Sequence, residues 1–149
     1  MQRRVHVQID GVDIRNLRLS DLRSEVALVR GIELFHGTIL DNVRVGREFT
    51  SAQVRAALDQ VGVWQAIQQM PDGLNTMLYT GGAPLSEGQK QALMMARAIL
   101  GAPRLLIIDE ALDTIQDTEE RDLFRKILFD RNAPWTLLLV TSRQDLMTY

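Results

Sequence analysis

Leu85-Ser86-Glu87-Gly88-Gln89 and, further on, Leu105-Leu106-Ile107-Ile108-Asp109-Glu110-Ala111 decide how this chain is read. The second stretch is an unalternating apolar run that ends in two carboxylates. Such runs read as strands buried on both faces, the habit of parallel sheets covered by helices. Acids at the end of a strand of this kind lie at the sheet edge where α/β proteins place ligands. Asp109 there can hold a divalent ion through water, and Glu110 can polarise an attacking water. In the first stretch Ser86 and Gln89 have capping-box spacing, so a helix opens at this point. A serine hydroxyl, a glycine N–H and a helix N-terminus together favour a phosphate. Glycine lets that phosphate approach the backbone. Each stretch alone has a plainer reading: acids end strands where the chain meets water, and a well-capped helix needs no ligand.

Outward from this pair the pattern stays α/β. Ala92, Leu93, Ala96, Arg97 and Leu100 keep a helical register, and Gly101 stands where a left-handed cap belongs. Thr136-Leu137-Leu138-Leu139-Val140-Thr141 is a second buried-strand candidate. Between the two strands, residues 117–129 read as an amphipathic helix, with Asp117 and Glu120 as its capping box. Leu123, Phe124, Ile127 and Leu128 form its core face, so the whole is one βαβ unit. Upstream, Thr50 or Ser51 caps a helix with Val54, Ala57, Leu58 and Val61 on one side. Residues 63–70 give a shorter helix carrying Trp64 and Ile67, ended by Pro71-Asp72-Gly73, and residues 74–84 read as a Gly-rich loop. Near the start, residues 5–9 alternate like a half-exposed strand, Asp10-Gly11 marks a turn, and residues 12–15 form a short strand or an extended loop. Glu25-Val26-Ala27-Leu28-Val29 is the third strand candidate, broken by Gly31.

Composition narrows the function classes. The 149 residues hold 17 Lys and Arg against 19 Asp and Glu, a net charge of −2, which is no basis for coating nucleic acid or anionic lipid. The absence of cysteine excludes disulfides, thiolate metal sites and cysteine nucleophiles. The longest apolar runs, 105–108 and 137–140, fall far short of the ~20 residues that span a bilayer. No apolar core follows Arg3-Arg4, so the start does not read as a signal peptide. The expectation is a cytoplasmic chain, or the cytoplasmic part of something larger, without direct membrane insertion. His6 and His36 lack ligand spacing, and Met94, Met95 and Trp64 are expected to pack.

The ordered combination resembles the nucleotide-binding domain of an exporter-type ABC transporter. LSEGQ resembles the family's signature LSGGQ, and LLIIDEA resembles its Walker B motif. Residues 33–43, ELFHGTILDNV, resemble the stretch after the Q-loop, and residues 7–15 the strands before it. The resemblance runs from about Val5 to Leu146. It implies an α/β fold: a partial P-loop NTPase core with a mostly parallel sheet plus an inserted α-helical subdomain. Residues 1–30 would belong to the core, 31–100 to the helical subdomain with the signature, and 101–149 to the core again. It implies ATP and Mg²⁺ held between two such domains arranged head to tail. Ser86, Gly88 and Gln89 would face the ATP of a partner domain, Asp109 would organise Mg²⁺, and Glu110 would be the catalytic base. Partners would be a second nucleotide-binding domain and a transmembrane domain, at the inner face of the membrane, with no nucleic acid.

Departures from the family pattern are as informative. No G-x-x-x-x-G-K-[ST] phosphate loop occurs in the chain, so by itself it is expected to bind ATP weakly or not at all. In the family that loop lies upstream of the matching stretch. The Q-loop glutamine aligns with Arg30, whose guanidinium has no acceptor for a cation. The switch histidine aligns with Ser142, too short to replace an imidazole reaching a phosphate. The D-loop reads Asp113-Thr114-Ile115-Gln116, with Asp117 one residue on, and residues 76–82 lack the usual charges. Arg30 and Ser142 damage the domain's own nucleotide site, whereas the signature that serves the partner's site is nearly intact. Two readings follow: part of an export ATPase that donates LSEGQ to its partner, or a degenerate, non-catalytic cassette acting as an interaction or regulatory module. Chromosome-organising relatives fit less well, since no sustained heptads occur. Without a phosphate-loop strand and its helix, exposed apolar surface is expected, and strand edges left unpaired are expected to invite self-association.

Overall fold

Asp10 and Gly11 both adopt left-handed backbone, with φ 49 and 79, and close a two-residue hairpin between β1 (Gln8–Ile9) and β2 (Val12–Asp13). The computed structural model describes residues 6–147. Val5 and the Arg3-Arg4 pair lie outside them. A short helix α1 (Leu19–Glu25), with no buried residue, follows and leads directly into β3 (Val26–Val29). The sequence reading has no helix here. Its N-cap is Arg18, which makes no side-chain capping bond, so nothing marks the start.

β4 (Gly37–Thr38) pairs antiparallel with β5 (Met77–Leu78), inside the stretch expected to be loop. Thr38 and Asp41 then form a full capping box for α2 (Ile39–Arg44), a helix too short to announce itself by periodicity. α3 (Ser51–Gln60) opens on the Thr50–Gln53 box and buries Val54, Ala57 and Leu58, as the spacing implies. α4 (Trp64–Gln68) buries Ile67, while Trp64 stays half-buried under the Arg55 guanidinium, 5.1 Å from its ring centroid. α5 (Glu87–Ile99) is the central helix, with Met94 and Met95 in the core. It packs on α2, α3 and β3.

Gly101 is not the left-handed residue after α5. That conformation falls to Ala102, φ 46, while Leu100 stays helical. Gly101 instead admits a close approach: a Cβ there would stand 3.3 Å from the Arg47 guanidinium.

β6 (Leu105–Asp109), α6 (Thr118–Leu128) and β7 (Thr136–Val140) form the expected βαβ unit. Asp117 caps α6 by accepting from the Glu120 N–H, though the reciprocal bond of a full box is not made. β3, β6 and β7 make a parallel sheet in the order β3-β6-β7, an α/β architecture that fits part of a P-loop NTPase core. Leu106 and Ile108 on one sheet face join the buried cluster that holds the apolar sides of α5 and α6. The apolar runs implied cover on the opposite face as well, against the separate expectation of exposed apolar surface. That face is not covered, among the described residues: Leu28 and Leu138 are 52% and 51% exposed, and Val140 is exposed beside them. Two helices on one side satisfy only one of the two rows of side chains that a strand presents.

One polar device holds α5 to the segment before α2. Asn42 is fully buried. It accepts from the Phe35 N–H at 3.0 Å and donates to the carbonyls of Phe35 and Thr38. Arg97 of α5 donates to the Asn42 carbonyl at 2.7 Å and to the Glu33 carbonyl at 2.8 Å. Replacing Asn42 by Ala leaves the Arg97 bonds to the main-chain carbonyls but strands the Phe35 N–H and removes the side-chain bonds to the Phe35 and Thr38 carbonyls. A loss of about 2–4 kcal/mol in urea-melt stability is expected. Asp59→Ala on an exposed face of α3 should stay within about 0.5 kcal/mol.

Candidate functional site

The parallel strands end together, so one sheet edge collects Arg30 after β3, Asp109 and Glu110 at the end of β6, and Ser142 just past β7. The Glu110 N–H bonds back to the Val140 carbonyl at 2.8 Å, and Glu110 takes a left-handed φ of 56. For a residue with a Cβ this backbone is uncommon and collects at functional positions. The Glu110 side chain is exposed.

Apart from Glu110, the acids of this edge have partners. Arg30 Nε stands 3.5 Å from Asp109 Oδ2. Asp113 accepts from the Thr141 hydroxyl, from the Ser142 N–H at 2.8 Å and from the Ser142 hydroxyl at 2.6 Å. Burial pushes the Asp113 carboxyl up, but the bonds from Ser142 and Thr141 outweigh it, and its pKa lies below the usual aspartate range. Ser142, although exposed, therefore spends both of its donors on Asp113. Arg143 is turned away too, forked onto Asp145.

These residues do not fit Mg²⁺ at Asp109. A guanidinium already faces its carboxylate, on the side a cation would take. Magnesium demands a near-octahedral set of oxygens, to which arginine contributes none.

Ser86, Gly88 and Gln89 form a second group at the start of α5. Gln89 N–H donates to Ser86 Oγ at 3.3 Å, and Ser86 N–H donates to Gln89 Oε1 at 2.9 Å, the reciprocal box that the spacing implies. The carbonyl end of the Gln89 side chain is thus spent on the cap. The N–H groups of Glu87 and Gly88 have no partner among the described residues. Glu87 is 75% exposed and pairs with Lys90 at 2.6 Å, so its carboxylate leans along the helix. A methyl group at Gly88 would stand 3.1 Å from a Glu120 carboxylate oxygen, so the glycine admits α6 at close range. Burial first, then Asp117, pushes the Glu120 carboxyl up from its ordinary value. A cleft of about 390 Å³ separates the two groups, with Gly31, Glu87, Ala111 and Gln116 among its walls. Gln91 ties its sides by donating to the Thr114 hydroxyl at 2.9 Å.

Comparison with known proteins shows the family. The model of the ABC transporter family matches residues 2–113. The chain belongs to the ABC transporter family. It is 42% identical over 118 residues to an ATP-dependent lipid A-core flippase of Thiobacillus denitrificans, covering 77% of this chain and 20% of the flippase. It is 37% identical over 139 residues to the uncharacterized ABC transporter ATP-binding protein YwjA of Bacillus subtilis, covering 92% of this chain and 24% of the relative. A mitochondrial potassium channel ATP-binding subunit of Xenopus tropicalis is 41% identical over 141 residues, 93% of this chain and 20% of that subunit. The chain thus spans about a fifth to a quarter of these relatives. The flippase likeness places it with exporter-type ATP-binding domains of the ABC family.

Residues that the sequence reading did not single out are Asp113 as the anchor of Ser142, Glu120 behind Gly88, and the Asn42–Arg97 pair. Only the last had a signal, a lone Asn among apolar residues in a capped segment. The Asp113 lock has a pH signature. A carboxyl held below its ordinary value adds stability above about pH 3.9, and that stability is lost as pH falls through the folded value. Between about pH 5 and pH 2 the native chain should lose stability more steeply than Asp113→Asn, read from denaturation midpoints at each pH.

Proposed function

We infer that this chain is part of the ATP-binding domain of an exporter-type ABC transporter, and that it lends the N-terminus of α5 to the ATP site of a second nucleotide-binding domain. The observation that carries this reading is the contrast between its two site groups. At α5 the Glu87 and Gly88 N–H groups are unpaired, and the Ser86 hydroxyl keeps a hydrogen to donate. A helix start of this kind suits a phosphate. At the sheet edge, by contrast, Asp109 is paired with Arg30, and Ser142 with Asp113.

In this reading ATP is held mainly by the partner, together with its Mg²⁺. Ser86 and Gly88 touch the terminal phosphate, and Gln89 holds the loop in shape through the cap. Glu110 is placed as a general base for the chain's own edge, where Arg30 and Ser142 impair turnover. Residues 31–100 form the helical subdomain. Their exposed Phe35, Met77 and Tyr79, with His36 tilted against Tyr79 at 5.6 Å, offer an apolar face for the transmembrane partner. The assembly works at the inner face of the membrane, and no described helix is long and apolar enough to cross it.

The chain contains no cysteine, so a single one at position 86 is a clean probe. In the assembled cassette pair, Ser86→Cys should cross-link to a cysteine in the partner's phosphate-binding loop when ATP is present, and not in its absence. Equal yield in both conditions would refute the donor role. Arg30→Gln combined with Ser142→His should raise ATP turnover of the same pair. Unchanged turnover after both substitutions favours the second reading, a non-catalytic interaction module.

A further inference from the structure

The mismatch between the sheet edge and a divalent ion has a positive counterpart in Arg30. Its Nε faces Asp109 Oδ2 at 3.5 Å, and its terminal nitrogens have no partner among the described residues. The side chain is 65% exposed and Asp109 38% exposed. The pair therefore contributes little to fold stability, and its consequence is electrostatic. Gly31 beside it leaves open space: a Cβ there would meet nothing within 4 Å. Arg30 thus sets its positive charge where Asp109 would otherwise attract a metal, with the exposed Glu110 carboxylate one residue on. One face of that charge is turned to a carboxylate and the other to the open side. Guanidinium forks match phosphate oxygens and need no metal between them.

We propose that Arg30 is the built-in cation of this edge: it neutralises Asp109, denies that carboxylate to divalent metals, and receives a phosphate chain that arrives free of metal. The proposal rests on reading the edge as a nucleotide-type site, but not on the donor role of α5. The cross-linking at position 86 can fail while this stands, and the reverse.

The test uses the full chain, isotope-labelled, with two probes read by nuclear magnetic resonance. With MnCl₂, the amides of Asp109 and Glu110 should stay sharp in the native chain. In Arg30→Gln they should broaden at a metal concentration lower by about tenfold or more, with Arg30→Lys restoring most of the resistance. With inorganic tripolyphosphate in excess chelator, the Arg30 side-chain N–H should shift in the native chain, and the Asp109 amide should respond there but not in Arg30→Gln. Equal broadening of the native chain and Arg30→Gln overturns the proposal. So does a tripolyphosphate titration that leaves the Arg30 resonance unmoved. Both substitutions sit at an exposed side chain, and an unchanged amide spectrum elsewhere verifies the fold.

Discussion

A guanidinium shielded from water must find acceptors, and the position of α5 follows from where Arg97 finds them. Burial pulls the Arg97 pKa down, with Glu33 opposing and Arg47 adding to the effect, yet no carboxylate touches it among the described residues. Its acceptors are the main-chain carbonyls of Asn42 and Glu33. Asn42 in turn fixes the backbone of residues 35–38, so a side chain on the central helix dictates where the chain entering α2 runs. Arg47 closes the same knot from the other side by donating to the Arg97 carbonyl at 2.8 Å. Cutting this knot costs more than deleting any exposed ion pair, because each freed group would be buried without water. α5 can then present its N-terminus at a fixed place.

The sheet edge obeys a different constraint. Parallel strands deliver their last residues to one side, whatever those residues are. In this chain several of the residues delivered are engaged with partners of their own, while the Glu110 side chain stays exposed. Asp109 meets Arg30, and Ser142 meets Asp113. The residues at positions 30 and 142 are therefore not isolated losses, since each has a partner that uses it, Asp109 at the end of β6 for Arg30 and Asp113 on the segment after β6 for Ser142. Asp113 holds the segments after β6 and β7 together, a tie that an imidazole at position 142 would have to break or replace.

How much of this could be read from residues alone depended on the range of the interaction. α3, α5, α6 and the strands of the βαβ unit were legible because capping boxes and apolar spacing are local. The edge position of Asp109 and Glu110 was legible because they end an apolar run, whereas Arg30 and Ser142 were singled out only through the family resemblance. α1 was not, since Arg18 makes no cap. β4 and β5 were not, since two-residue strands carry no period. Gly101 misled because a glycine after a helix suggests a left-handed cap, whereas the nearby Arg47 guanidinium is what needs the small residue. The pairing of Ser142 with Asp113 and the approach of Glu120 to Gly88 join residues far apart in sequence, and no local rule announces them.

β7 shows the same limit in its packing. Its four consecutive apolar residues looked like a strand buried on both sides, yet Leu138 and Val140 face outward while Leu137 and Leu139 turn inward. An apolar run states what a strand tolerates on each face and cannot state what lies there. The open row Leu28, Ile107 and Leu138 continues straight across the three strands in register. Its exposure leaves the sheet supported from one side only, by α5 and α6. The buried cluster on that side, and not the sheet's own hydrogen bonds, then decides whether the edge residues keep their alignment, because strand pairing alone leaves a three-stranded sheet without a second layer to pack against.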